Sequence, residues 1–105
     1  MTKLSKRLQC LANLALENEN YIDIGCDHGL LAIALAKKYP NAKIIASDIN
    51  ENALNNAKKN IKKYRLEEKI EPVQSNGLEN ITPKKNTTII FYGMGAHTMV
   101  GILNQ

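Results

Sequence analysis

The segment from Tyr21 to Gly29, with the sequence YIDIGCDHG, places two aspartates, a cysteine and a histidine around two glycines. Its first half alternates branched apolar residues with an acid and leads into Gly25, as in a buried parallel strand that ends in a sharp turn. The apolar run from Leu30 to Ala36 then predicts a packed helix. Such a strand, glycine loop and helix are typical of a nucleotide-binding unit, because glycines let the backbone approach the ligand and the helix N-terminus offers free N–H groups.

The spacing of the glycines bears on which nucleotide this loop binds. A dinucleotide fingerprint, G-x-G-x-x-G, counted from Gly25 would require glycine where the chain has Asp27 and Leu30. The observed pattern, acid-x-Gly-x-x-x-Gly, resembles the first motif of class I S-adenosylmethionine-dependent methyltransferases. The resemblance implies that Asp23 lies beneath the methionine ammonium of the cofactor and that Gly25 leaves room for the cofactor backbone. The alternative is an ordinary strand, turn and helix without a ligand.

Polar side chains follow two further predicted strands. Asp48 ends the strand Ala42–Ser47, 19 residues after Gly29. An acid at this place can accept hydrogen bonds from both ribose hydroxyls of a nucleotide. Asn76 follows the strand Lys69–Gln74 and offers a donor and an acceptor to the edge of a base. The sequence therefore predicts a nucleotide site at the carboxyl ends of neighbouring strands.

The elements that position these residues are those of an α/β protein. Thr2–Glu17 predicts an amphipathic N-terminal helix. Asn50 is the expected N-cap of a helix with an apolar face, whose exposed lysines are Lys58, Lys59, Lys62 and Lys63. Pro72 has no backbone N–H to donate to a neighbouring strand, so it is expected on an edge strand. In the strand order 3-2-1-4-5 the third strand is such an edge strand.

Thr87–Tyr92 predicts the fourth strand, and Thr98–Leu103 predicts the start of a further helix. The expected fold is a Rossmann-like, doubly wound parallel sheet in one domain, residues 1–105, truncated after its fourth strand. The fourth strand would then have an open edge, which favours either a fragment of a longer protein or self-association through that edge.

The composition of the chain indicates which kinds of partner it binds and where in the cell it is located. The 105 residues carry a formal net charge of +4, which favours an anionic partner such as nucleic acid; solvated, lysine-rich helix faces are the alternative. The longest apolar run is too short for a bilayer and no signal peptide is recognisable, which predicts a cytoplasmic protein without membrane contact. The two cysteines and two histidines form no metal-ligand pattern, so we expect no metal and no disulfide.

Four motifs carry a more specific resemblance: Leu4–Leu8, Asp23–Gly29, Asn76–Leu78 and Gly93–Gly95. In order and spacing they resemble the N-terminal half of the bacterial TrmK family, which methylates N1 of adenine 22 in tRNA with S-adenosylmethionine. The resemblance covers essentially the whole chain. Two departures are Asn76, where the family usually has aspartate, and the missing later strands and helical C-terminal domain, which predict little methylation by residues 1–105 alone.

The resemblance and the motifs together give a set of site residues. Arg7 is expected near the methionine carboxylate of the cofactor, and Gly93 and Met94 are expected to close the pocket floor beside the methyl group. The other expected cofactor contacts are Asp23, Gly25, Cys26, Gly29, Asp48, Ile49, Asn76 and Gly77.

The expected catalytic residues are Asp27 and His28, which would orient the adenine or accept its proton. The alternative is that Asp27 caps the following helix and His28 packs. Three functions stay open: a tRNA adenine-N1 methyltransferase that exposes the base and transfers the methyl in line, a class I methyltransferase with another substrate, and a cofactor-binding module without turnover.

Overall fold

The structure is a computed structural model and describes residues 20–84, 86–93 and 96–103. The predicted N-terminal helix, with Arg7, and the predicted contact Met94 lie outside these residues. The described chain forms, in order, β1 (Asn20–Ile24), α1 (Leu30–Lys38), β2 (Lys43–Asp48), α2 (Glu51–Lys63), β3 (Ile70–Gln74), β4 (Thr87–Gly93) and β5 (Ala96–Leu103).

The strands form a single sheet in the order β3-β2-β1-β4-β5, in which β3, β2, β1 and β4 are parallel. The prediction of the order 3-2-1-4 is therefore confirmed. Pro72 lies in β3, at the edge of the sheet, where the missing N–H of proline costs least. Because these strands are parallel, the carboxyl ends of β1, β2 and β3 lie at the same end of the sheet, which is called the carboxyl edge below.

The segment after β4 differs from its prediction. Residues Thr98–Leu103 were expected to begin a helix, but they belong to β5, which pairs antiparallel with β4. The sequence alternates β-branched Thr98, Val100 and Ile102 with other residues, the period-two pattern of a strand. Pairing also supplies partners for backbone groups along the outer side of β4. The fourth strand is therefore not the last, and its predicted open edge is occupied by this chain.

The two faces of the sheet have separate apolar clusters. Both helices contribute to the larger one, whose largest buried members include Tyr21, Leu35, Ile44, Ile61 and Ile70. The smaller one, on the other face, contains Ile22, Ile24, Ile81 and Ile89. Burial of each such side chain contributes about 1.5–3 kcal/mol to the free energy of folding, so these clusters hold the sheet edge that carries the polar loops.

The helix α2 begins and packs as its sequence predicts. The Asn50 side chain accepts a hydrogen bond from the Ala53 N–H at 3.0 Å, which confirms Asn50 as the N-cap. One face of the helix is buried through Leu54, Ala57 and Ile61, and the four lysines predicted as exposed are exposed. The helix therefore lies against the sheet with its apolar side and presents positive charge to solvent.

Candidate functional site

The loop between β1 and α1 is held against the end of β2. Its backbone is left-handed at Gly25, Asp27 and Gly29, with φ of 75°, 53° and 76°. The Ser47 carbonyl accepts hydrogen bonds from the N–H groups of Gly25 and Cys26, both at 2.8 Å. Glycine adopts this conformation at little cost, and aspartate is one of the few other residue types that adopt it.

Asp48 connects this loop to the start of α2 through one carboxylate. Its Oδ2 accepts a hydrogen bond from the Asp27 N–H at 3.1 Å, and its Oδ1 accepts one from the Asn50 N–H at 2.9 Å. Each oxygen of an ionised carboxylate retains a further lone pair. Asp48 is only partly buried, so these lone pairs remain accessible to hydroxyl donors of a ligand.

The other side of the loop contacts α2. Gly29 is buried, and a Cβ placed on it would lie 3.1 Å from the Cβ of Ala57. The Asn60 side chain donates a hydrogen bond to the His28 carbonyl at 2.8 Å. Gly29 is therefore required for close packing, while its contact with a cofactor stays a prediction. Asn60 is not among the residues predicted from the sequence, where its only signal is its place beside the apolar stripe of α2.

Negative charge is concentrated around Cys26. Burial raises the pKa of its thiol, and the neighbouring carboxylates of Asp23, Asp48 and Asp27 raise that pKa further. The thiol therefore stays protonated at neutral pH. Three acids at one place in a chain of net charge +4 favour a ligand that carries a positive group there.

Asp27 and His28 form the exposed tip of the loop. Their side chains are 55% and 54% exposed, and Asp27 Oδ1 lies 3.9 Å from His28 Nε2. The residue that caps α1 is Gly29, without a side-chain hydrogen bond. The alternative in which Asp27 caps this helix and His28 packs is therefore wrong. Both side chains are available to a ligand or a substrate.

The turn after β3 completes the carboxyl edge. The Ser75 hydroxyl donates to the Gly77 carbonyl at 2.8 Å, and Gly77 has a left-handed φ of 60°. The Ser75 N–H donates to the Asp48 carbonyl, which joins this turn to the end of β2. Asn76 is exposed, and Ile49 presents an apolar side chain that is 62% exposed. An apolar surface beside a polar amide suits the face and edge of a nucleotide base.

The place of these residues in the sheet agrees with a nucleotide site. From β1 the chain continues to β2 and then β3 on one side of the sheet, and it crosses back to form β4 on the other side of β1. The direction in which strands are added therefore reverses between β1 and β4. In open α/β sheets ligands bind at the carboxyl ends of strands beside such a reversal. Gly93, at the end of β4, belongs to the same edge. A cavity of about 230 Å³ lies elsewhere, near the amino ends of the strands at Asn20 and Thr87.

Within residues 20–84, 86–93 and 96–103, the structure contains no group of three or more His, Cys, Asp or Glu side chains able to hold a metal ion. No helix in the same part of the chain has the length and apolar character needed to cross a membrane.

Comparison with known proteins decides the family. A family described as a methyltransferase domain matches residues 4–105 of the chain. The chain belongs to this methyltransferase family. A bifunctional methyltransferase of Rickettsia conorii is 37% identical over 71 residues, which are 68% of this chain and 14% of that protein.

Two solved structures are similar in both fold and sequence. TrmK of M. capricolum, in complex with the cofactor product S-adenosylhomocysteine, has a TM-score of 0.77 and 36% identity, over 86% of this chain and 41% of that one. The M1A22 tRNA methyltransferase TrmK of B. subtilis has a TM-score of 0.72 and 31% identity, over 85% and 39%. They confirm the Rossmann-like methyltransferase fold and the resemblance to TrmK. The chain spans less than half the length of each of these three proteins.

Proposed function

We propose that this methyltransferase domain binds S-adenosylmethionine at the carboxyl edge of β1, β2 and β3, as part of an enzyme that methylates N1 of an adenine in tRNA. The observation that carries the proposal is that the Gly25–Gly29 loop is held at the end of β2 by the Ser47 carbonyl and the Asp48 carboxylate. The similarity to TrmK with bound S-adenosylhomocysteine supports the same cofactor.

The charges of the site fit this cofactor. S-adenosylmethionine carries an ammonium and a sulfonium against one carboxylate, whereas a dinucleotide brings a pyrophosphate with two negative charges. The acids that raise the pKa of Cys26 would attract the first and repel the second. Asp23 is fully buried and is assigned to the ammonium end of the cofactor.

The remaining cofactor contacts follow from position along the edge. Asp48 accepts hydrogen bonds from the ribose hydroxyls with its remaining lone pairs. Ile49 lies against the adenine ring, and Asn76 meets the edge of that ring. Gly25, Cys26 and Gly77 are the small residues that leave space for the cofactor backbone and base.

Methyl transfer from S-adenosylmethionine requires little acid or base catalysis. The bound cofactor supplies the methyl group, and the protein must align the accepting nitrogen with it and exclude water. Asp27 and His28, exposed at the loop tip, are assigned to orienting the target adenine or to accepting a proton from its N6 amino group after N1 has gained the methyl group and become cationic. N1 of adenine is engaged in pairing or stacking in folded RNA, so the base must be exposed first.

The choice of tRNA rests on two observations. The B. subtilis TrmK is a tRNA methyltransferase, and α2 of this chain exposes four lysines that suit the phosphates of RNA. With tRNA as the substrate, we place the protein in the cytoplasm. Phosphate contacts hold RNA without choosing a base, so the choice of adenine is assigned to the loop tip.

A second candidate function is methyl transfer to another substrate. It is favoured by the sequence identity between this chain and the bifunctional methyltransferase of Rickettsia conorii. Proteins that share cofactor-binding motifs can act on different substrates, because these motifs do not determine the substrate. Transfer of a labelled methyl group to unmodified tRNA, followed by nucleoside analysis for N1-methyladenosine, distinguishes the two functions. A module that binds cofactor without turnover would give no label in any substrate.

The cofactor assignment is tested by binding. We expect the chain to bind S-adenosylhomocysteine more tightly than NAD by at least about tenfold, which corresponds to about 1.4 kcal/mol, because the site lacks the glycines and gains acids where a pyrophosphate would lie. Isothermal calorimetry with both ligands measures the difference. Tighter binding of NAD would refute the proposal.

A further inference from the structure

The peptide unit between His28 and Gly29 is held from both sides. Its carbonyl oxygen accepts the hydrogen bond from the Asn60 side chain at 2.8 Å. Its N–H, on Gly29, donates to the Cys26 carbonyl at 2.8 Å. A peptide unit with both polar groups bonded has one preferred orientation, since rotating it breaks both hydrogen bonds.

These two hydrogen bonds matter because a glycine does not by itself select the orientation of its peptide unit. Gly29 has φ of 76°, yet glycine populates positive and negative φ about equally. The conformation of the unfolded loop is therefore undetermined at this residue, and contacts with the rest of the protein have to choose it. Asn60 supplies one of these contacts from α2, outside the edge where the cofactor is proposed to bind.

The exposed tip of the loop consequently has two separate anchors. On the β2 side, the Asp48 carboxylate accepts the Asp27 N–H at 3.1 Å. On the α2 side, Asn60 holds the His28 carbonyl. Asp48 is itself assigned to the ribose, whereas Asn60 has its hydrogen bond with the protein backbone and is assigned no ligand contact.

We propose that Asn60 is a positioning residue, which holds the Gly25–Gly29 loop in the orientation that the methionine part of the cofactor, assigned to this loop and Asp23, requires. The inference rests on the proposed function for the identity of the ligand. It predicts that loss of the Asn60 amide weakens binding of the methionine part and leaves the adenosine part largely unaffected.

The test compares Asn60→Ala with Asn56→Ala, a substitution one turn earlier on the same helix at an exposed asparagine. Binding of S-adenosylhomocysteine and of adenosine is measured by calorimetry on the 105-residue chain. Asn60→Ala should weaken S-adenosylhomocysteine binding by about three- to tenfold, the usual effect of one hydrogen bond. Adenosine binding should change by less than about twofold, and Asn56→Ala should affect neither ligand. Asn60→Gln keeps the amide and should restore part of the loss.

Two results would overturn the inference: unchanged binding of S-adenosylhomocysteine by Asn60→Ala, or equal losses for both ligands, which would indicate a general structural role. If the unsubstituted chain fails to bind S-adenosylhomocysteine, the proposed function is wrong. The amide resonances of Asp27, His28 and Gly29 in the ligand-free proteins then decide the inference. They should shift in Asn60→Ala and stay in place in Asn56→Ala, and unshifted resonances in both would overturn it.

Discussion

The Asp48 carboxylate has an observed structural role and a proposed role in ligand binding. It accepts hydrogen bonds from the backbone N–H groups of Asp27 and Asn50, and it is assigned to the ribose hydroxyls of the cofactor. The proposed ribose contacts would use the same two oxygens that accept the N–H groups of Asp27 and Asn50. The effects of substitutions here will combine a lost ligand contact with a loosened loop.

Asp48→Ala should therefore weaken binding of S-adenosylhomocysteine by roughly 1–3 kcal/mol, the range expected when a charged hydrogen-bond partner is removed. Asp48→Asn keeps one acceptor oxygen and should lose less. Calorimetry measures affinity, and thermal melts without ligand show whether the chain remains folded. Glu51→Ala, which removes an exposed acid from the start of α2, is the control and should bind normally. Unchanged affinity in Asp48→Ala would mean that Asp48 serves the loop alone.

At the scale of elements, the contact between the β1–α1 loop and α2 depends on two small residues. Gly29 and Ala57 approach so closely that an added Cβ on Gly29 would lie 3.1 Å from that of Ala57. The loop and the helix therefore pack through bare backbone and a methyl group. This closeness brings the Asn60 amide within hydrogen-bond distance of the His28 carbonyl.

We expect Gly29→Ala to destabilise the chain by about 1–3 kcal/mol more than Gly77→Ala. Both glycines have a positive φ, so both substitutions include the cost of a left-handed alanine, about 1–2 kcal/mol. Only Gly29 also meets a neighbour, since a Cβ on Gly77 would have nothing within 4 Å. Denaturant unfolding of the two variants measures the difference.

The crowding can be isolated by adding Ala57→Gly to Gly29→Ala. The double variant should recover part of the lost stability, even though glycine inside a helix costs about 1 kcal/mol by itself. A double-mutant cycle separates the two contributions. Additive losses, with no coupling between positions 29 and 57, would contradict the packing role of Gly29.

At the scale of the whole molecule, the described residues include an acidic loop and a lysine-rich helix face. Acids gather at the loop beside Cys26, and the lysines of α2 face solvent on the helix that supports this loop. A cationic cofactor and an anionic RNA would then be attracted to adjacent parts of the same chain. The sheet that joins these surfaces is closed on the β4 side by β5.

Binding of tRNA should accordingly be weak and sensitive to salt. Each lost phosphate contact reduces the magnitude of the slope of log affinity against log salt by about 0.7–0.9. The double variant Lys59→Gln and Lys62→Gln should therefore reduce this magnitude by at most about two. The matched control is Lys43→Gln with Lys84→Gln, which removes the same charge from exposed sites away from α2. Filter binding across a salt series gives the slopes. Equal changes in both double variants would show that only net charge matters, not the surface of α2.

The local sequence was sufficient for the parts of the site that depend on chain order. Alternating apolar residues before Gly25, the acid Asp48 after the next strand and Pro72 on an edge strand predicted the parallel order that the structure shows. These signals are local, because strand, turn and helix patterns repeat within a few residues. Parallel order then brings the carboxyl ends of the strands together without further information.

Contacts between distant residues required the tertiary structure. No local pattern indicates that Asn60 meets the His28 carbonyl or that Gly29 packs on Ala57, because both depend on how α2 crosses the loop. The segment Thr98–Leu103, predicted as the start of a helix, does carry a local strand signal in its alternating β-branched residues, but this signal is short. Short apolar runs fit a helix or a strand, and pairing with the exposed side of β4 decided between them.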